Sequence, residues 1–141
     1  ERVLDIGTGS GILAIAALKL GAAEAEGVDI DPMCVRTAGE NAALNGVQND
    51  LTVLVGDLSE KATGVYDVIC ANIVANAIIH LVPNVPALLA KHGTFLASGI
   101  IDTRKDEVIA AVQAAGLALR EVKEKNGWVA LVCGHVKERL L

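Results

Sequence analysis

The chain of 141 residues predicts one α/β domain, with seven short strands, most of them parallel, and helices on both faces of the sheet. Three observations carry that expectation. Short apolar runs alternate with longer helical stretches along nearly the whole chain. The first run leads into Asp5-Ile6-Gly7-Thr8-Gly9-Ser10-Gly11, which reads as a strand, a glycine turn and the start of a helix. Finally, 52% of the residues are apolar but Tyr66, Phe95 and Trp128 are the sole aromatic ones, so the core is assigned to Ala, Val, Leu and Ile. Those residues are the usual filling of a parallel sheet buried on both faces.

Taken in order, Val3-Leu4 marks the first strand, and residues 11–20 form a helix apolar almost all round, expected to be covered by its neighbours. Gly21 closes that helix. Residues 25–28 form the second strand; Asp31 caps the next helix and Pro32 takes its first position. That helix stops at Asn45-Gly46. Residues 51–55 are the third strand, with Gly56-Asp57-Leu58 at its end, and residues 65–71 the fourth, apolar except for Asp67. A helix over residues 75–89 contains Pro83 and Pro86 and is expected to be kinked or divided. Lys91-His92-Gly93 reads as a turn before the fifth strand, residues 94–98. Asp102 or Thr103 caps a further helix that runs to Ala115 and is ended by Gly116. Residues 117–123 and 128–135 are two strands joined through Asn126-Gly127, a strong hairpin signal that makes the end of the sheet antiparallel. Lys137-Glu138-Arg139 reads as a solvated end. The chain starts abruptly inside its first strand, which suggests a piece of a longer protein.

The glycine turn is the main chemical signal. Glycines on alternate positions remove Cβ atoms that would hold a ligand off the backbone, and they permit positive φ. Such turns often bind phosphate at a helix N-terminus. Here Asp5 precedes the first glycine, and a carboxylate repels pyrophosphate and attracts a cation. The third glycine is Gly11, where a dinucleotide fingerprint would place it at the position held by Ile12. A tight turn without a ligand remains the bland alternative. Asp29 closes the second strand 18 residues beyond Gly11, near where nucleotide-binding sheets place an acid for ribose hydroxyls; the alternative is a second helix cap. Asp57 follows the third strand, with a ligand-free Gly-Asp turn as its rival. Asn72 follows the fourth, where ligands of open sheets collect, and can equally cap the next helix.

Together Asp5-Ile6-Gly7-Thr8-Gly9-Ser10-Gly11-Ile12-Leu13-Ala14, Val28-Asp29-Ile30-Asp31-Pro32, Ala71-Asn72-Ile73-Val74-Ala75, Ser98-Gly99-Ile100 and Gly127-Trp128-Val129 resemble class I S-adenosylmethionine-dependent methyltransferases, and among them the PrmA family, which methylates large-subunit ribosomal protein eleven. The resemblance covers essentially the whole chain. It implies a Rossmann-like class I methyltransferase fold with strand order 3-2-1-4-5-7-6, and S-adenosylmethionine as cofactor. Residues 1–141 would be the cofactor-binding methyltransferase domain, without the N-terminal substrate-recognition domain and cofactor-closing loop of the family. By the same resemblance Asp5, Gly7, Thr8, Gly9 and Gly11 cradle the methionine part, Asp29 and Ile30 meet the ribose, and Asp57 and Leu58 meet the adenine. Asn72 lies at the cofactor and the reacting amine, and Trp128 lines the reaction pocket; a core aromatic is the alternative for Trp128. The implied reaction is methyl transfer to lysine or N-terminal amines of a large-subunit ribosomal protein. A lysine methyltransferase acting on another protein, or a cofactor-binding piece without turnover, stays open. An oxidoreductase is the weaker alternative.

Composition narrows the remaining classes. A net charge of −5 argues against a broad phosphate-binding surface, and the scarcity of aromatics against base stacking, so no direct nucleic-acid contact is expected. Cys34, Cys70 and Cys133 are odd in number and widely spaced, and read as reduced core thiols of a cytoplasmic protein. His80, His92 and His135 show no ligand spacing with them, so no metal is expected. No apolar run reaches membrane-spanning length.

Overall fold

The structure, a computed structural model, describes residues 1–137. Glu138 and Arg139, read from sequence as a solvated end, lie outside the described residues; Lys137 is exposed.

Val3, Leu4, Asp5 and Ile6 are all buried because their strand, β1 (Arg2–Ile6), has a parallel neighbour on each side: β2 (Glu24–Asp29) and β4 (Tyr66–Asn72). β3 (Leu51–Val55) pairs with β2, and β5 (Leu89–Ile101) with β4, both in parallel. β6 (Leu117–Lys125) and β7 (Trp128–His135) form the antiparallel finish, with β7 against β5. The resulting order is β3-β2-β1-β4-β5-β7-β6, as expected.

Alternate residues of β1 serve opposite faces, as the pleat requires. Val3 packs with Ala14, Leu18 and Ala25 under α1 (Ile12–Lys19). Leu4 and Ile6 belong to the larger core with Ile69, Ile78, Leu81 and Phe95, beneath α3 (Ala75–Leu81) and α5 (Lys105–Ala114). α2 (Met33–Leu44) buries Ala38 and Ala42.

The helix ends follow the sequence signals. Gly21 and Gly46 take φ of 113° and 73°. The amide after each glycine reaches back to Ala17 and Ala42 respectively, which completes a Schellman closure at both helices. Asp31 Oδ1 accepts from the Met33 amide at 3.0 Å, the expected cap. Pro83 and Pro86 divide their helix into α3, a 3₁₀ turn (Val82–Asn84) and α4 (Val85–Leu88).

Four expectations are corrected. α1 is apolar all round, but only Ala14, Ile15 and Leu18 are buried; Ile12 and Leu20 are 69% and 88% exposed, because no described element covers that face. Lys91-His92-Gly93 is not a turn between elements but part of a 13-residue β5, where the register against β4 shifts. Gly93 is needed there because a Cβ would stand 2.8 Å from Leu89 Cδ1 and 3.0 Å from the Asp67 carbonyl oxygen. Neither Asp102 nor Thr103 caps α5 through its side chain; the Asp102 amide bonds the Gly127 carbonyl at 2.9 Å, and a 3₁₀ turn (Asp102–Arg104) leads into the helix. Of the three cysteines, Cys133 is buried, but Cys34 and Cys70 are only partly so.

Candidate functional site

The parallel register brings five strand ends to one edge of the sheet: Ile6 beside Val28 and Ala71, Asp29 beside Val55, and Asn72 beside Ser98. Gly7, Thr8 and Gly9 follow β1 there. Gly7, Gly9 and Gly11 have φ of 74°, 55° and 86°, as a sharp strand-to-helix reversal requires. Their roles differ. A Cβ at Gly7 would stand 2.6 Å from Ile73 Cγ2, and one at Gly11 3.0 Å from Ala38 Cβ, so these two glycines let the chain pack on itself. Gly9 alone of the three faces open space, with nothing within 4 Å of its Cβ position.

The donors of the turn are already committed. The amides of Gly7 and Thr8 donate to the Val28 carbonyl at 2.8 and 3.1 Å, and that of Gly11 to the Thr8 carbonyl at 2.9 Å. The Gly9 amide donates to Asp29 Oδ2 at 2.9 Å. These four amides are therefore not available to a ligand.

Asp5 is 1% exposed and lies beneath the turn, off the cleft wall, where its Oδ2 accepts from the Thr8 hydroxyl at 2.8 Å. Its Oδ1 has no hydrogen-bond partner among the described residues. Burial pushes the Asp5 carboxyl up to about 6; the Thr8 hydroxyl and the poorly aligned Ala14 amide oppose the shift, and the charge of Asp29 adds to it. Asp29 behaves oppositely. Burial raises it, but the amides of Asp31 and Gly9 outweigh this and hold the carboxylate below its ordinary range.

Beyond these strand ends opens a cleft of about 430 Å³. Its walls are Ile6, Val28, Ile30, Leu58, Ile73 and Val74, with Gly7, Gly56 and Ala77 between them, and Asp29 and Asp57 as its acids. No basic side chain among the described residues lines it. Leu58 takes φ of 49°, an uncommon backbone for a branched residue that turns the chain after β3 toward the cleft. Of the residues expected to hold a cofactor, Gly7, Asp29, Ile30, Asp57 and Leu58 line this cleft. Asp5, Thr8, Gly9, Gly11 and Asn72 do not; Asp5 and Thr8 are buried under it. Ile6, Val28, Ile73 and Val74 stand inside the motifs, but sequence reasoning gave them no place in the site. Their signal is position alone, an apolar residue at or just after a strand end.

Asn72 ends β4 with its side chain exposed, and it does not cap α3, whose N-cap is the extended Val74. Gly99 at φ 77° makes room for it: a Cβ there would stand 2.6 Å from Asn72 Oδ1. Gly99 also borders a smaller hollow of about 190 Å³ with Val74, Ala75, Asn76, Ile101, Arg104 and Trp128. Val74 belongs to both hollows, and Trp128 is 57% exposed, so it is not a core aromatic. Arg104 was not expected. It donates to Asn76 Oδ1 at 2.6 Å and to both Glu107 oxygens at 2.7 and 2.8 Å. Cys70, on β4, is held protonated by burial and then by the Asp5 charge, its thiol pushed up to about 12, so it is no nucleophile.

The family model described as ribosomal protein L11 methyltransferase (PrmA) matches residues 1–135. The chain belongs to the PrmA family. Within it, the chain is 48% identical to the ribosomal protein L11 methyltransferase of Symbiobacterium thermophilum over 94% of its own length and 43% of that protein's. Its counterpart from Pelotomaculum thermopropionicum is 46% identical, over 92% and 42%. The chain thus spans about two fifths of the length of the curated relatives it matches. The crystal structure of ribosomal protein L11 methylase from Lactobacillus delbrueckii subsp. bulgaricus superposes with a TM-score of 0.92 at 34% identity, over 95% of this chain and 69% of that one. The same fold recurs, at 20% identity and a TM-score of 0.76, in an RNA methyltransferase from Salinibacter ruber solved with S-adenosyl-L-homocysteine. The PrmA fold is therefore that of class I methyltransferases. Among the described residues no helix is long and apolar enough to cross a membrane.

Proposed function

We propose that this chain is the cofactor-binding and methyl-transferring part of a cytoplasmic S-adenosylmethionine-dependent protein methyltransferase, acting on lysine or N-terminal amines of large-subunit ribosomal protein L11. The observation that carries the cofactor reading is a cleft beside the glycine turn, lined by two carboxylates and apolar groups with no cation among the described residues. Such a cleft suits a ligand with hydroxyls, an aromatic base and positive charge, and is unsuited to a pyrophosphate. Nicotinamide chemistry is disfavoured on that ground. The ribosomal acceptor rests on the names of the PrmA relatives.

When bound, S-adenosylmethionine supplies an electrophilic methyl group on a sulfonium. The residues of the chain position the partners. Asp29, already charged and aimed by two backbone amides, accepts from ribose hydroxyls; Asp57, exposed at the rim, accepts from the adenine amino group; Ile30 and Leu58 flank the base. Asn72 Oδ1 accepts from the acceptor amine and aims its lone pair, and Trp128 forms the outer wall against which the substrate side chain lies. A lysine amine with an ordinary pKa of about 10.4 must first lose its proton, and the apolar surround of Val74, Ile101 and Trp128 favours the neutral form. Alignment then supplies much of the rate, so displacing the amine by about 1 Å costs on the order of 100-fold.

Calorimetric titration with S-adenosylhomocysteine tests the cofactor. Saturable binding is expected, with none for NADH and at least a tenfold loss in Asp29→Ala; the reverse preference would overturn the assignment. For Asn72, the expected outcome is unchanged S-adenosylhomocysteine affinity and a roughly 100-fold slower methylation of purified L11 in Asn72→Ala, read by mass spectrometry. A wild-type rate in that variant would remove Asn72 from the mechanism.

A further inference from the structure

A hollow of about 760 Å³ lies far from the candidate cofactor cleft, at the amino end of β5 and the carboxyl end of β7. Among the described residues its lining carries three permanently charged cations, Lys91, Arg120 and Lys137, together with His92 and His135, and no acidic side chain. That concentration is unexpected in a chain of net charge −5.

Two separate irregularities of the sheet bring Lys91, His92 and Arg120 to the hollow, beside His135 and Lys137 at the end of β7. Against β4, the register of β5 jumps between Leu89 and Thr94, so Lys91 and His92 stand on an inserted bulge. Against β7, the register of β6 slips between Leu119 and Glu121, which leaves Arg120 unpaired in the ladder. Bulges re-aim side chains and gather near functional sites. Gly134 of β7 completes the arrangement, since a Cβ there would collide with the Arg120 guanidinium. His135 fixes the two strands to each other, its Nε2 donating to the Leu89 carbonyl at 2.8 Å. Among the described residues Lys91, Arg120 and Lys137 form no ion pair, whereas Arg2, Arg36, Arg104, Lys105 and Lys123 do. Like charges gathered without a counter-charge among the described residues are unfavourable, so an anion entering the hollow is stabilised by Lys91, Arg120 and Lys137.

We propose that this hollow is a second ligand site, one that binds a phosphate-bearing anion of nucleotide size. Its volume falls in the range of small-ligand sites, and Arg120 offers the forked donors that suit phosphate oxygens. The site is independent of the methyl-transfer reading.

The test is isothermal titration of the full chain with inorganic pyrophosphate at low ionic strength, repeated with a ten-base oligothymidylate. Saturable pyrophosphate binding is expected, weakened at least tenfold in Lys91→Glu/Arg120→Glu. Should that double variant fail to fold, Lys91→Gln/Lys137→Gln alters two exposed side chains only and is expected to weaken binding as well. A source in nucleic acid shows as tighter binding of the oligonucleotide, with log K falling by about 2 per decade of salt for three neutralised phosphates. A free phosphorylated molecule shows as binding of pyrophosphate without that gain. Absence of saturable binding of either probe, or an affinity that neither variant changes, overturns the proposal.

Discussion

At Asp5 and Asp29 the same functional group meets opposite surroundings one turn apart. Asp29 is charged because two amides point at it; Asp5 has one hydroxyl partner and an oxygen with none. The folded state therefore holds the Asp5 proton up to about pH 6, against an ordinary value of 3.8. A carboxyl raised in this way contributes stability that is fully present below about pH 4 and is lost as pH rises through 6. The Asp5→Asn variant, which keeps the shape and loses the charge, is expected to lack that loss. Its stability relative to the parent should improve by about 2–3 kcal/mol between pH 4 and pH 8 in urea unfolding. Parallel pH profiles for the two proteins would show that Asp5 is not strained. Asp5 was legible in the sequence as a motif residue, but its place beneath the turn was not, because nothing in residue spacing says which way a side chain points once both faces of a strand are buried.

Elements were legible wherever a local rule acts. Gly21, Gly46, Pro83, Pro86 and Asp31 each ended, divided or capped a helix as their backbone chemistry dictates. The Asn126-Gly127 turn closes β6 on β7 with φ of 52° and 82°, the two positive angles of a type I′ hairpin. Gly127→Ala is expected to cost about 1–2 kcal/mol by thermal melting, since it forces a Cβ into the left-handed region. β5 was misread because its irregularity answers to neighbours: Gly93 is required by the Asp67 carbonyl and Gly99 by the Asn72 side chain, both on β4. Gly99→Ala tests this. Its methyl displaces Asn72, so L11 methylation is expected to fall at least tenfold while S-adenosylhomocysteine binding is retained; a wild-type rate would detach Gly99 from the site.

Across the whole molecule, the two ends of the sheet have different work. The carboxyl ends of the parallel strands open into the cleft, while part of the opposite end is closed by a polar network. There Arg2 bonds Glu24 and Glu26 and lies 4.1 Å from the Tyr66 ring centroid, and the Tyr66 hydroxyl donates to Glu26 Oε2 at 2.6 Å and accepts from the Thr63 amide at 3.1 Å. Tyr66 is fully buried, so Tyr66→Phe leaves the Thr63 amide and the Glu26 carboxylate each short of a partner. The expected cost is about 1–3 kcal/mol of stability with no change in S-adenosylhomocysteine affinity. A parallel loss of affinity would show that the two ends are coupled.

The order of apolar runs and the punctuation by glycine and proline were enough to define alternating strands and helices with an antiparallel finish, because strand and helix periods and turn chemistry act over a few residues; the strand order came from the family resemblance. Only the folded chain showed that Gly7 and Gly11 serve packing while Gly9 stays open, that the amides of Gly7, Thr8, Gly9 and Gly11 are occupied, that Ile73 and Val74 form a cleft wall, and that bulges on β5 and β6 bring Lys91, His92 and Arg120 into one hollow with His135 and Lys137. Each of these depends on which strand lies beside which and on its register, and residues brought together across a sheet leave no periodic trace in the sequence that encodes them.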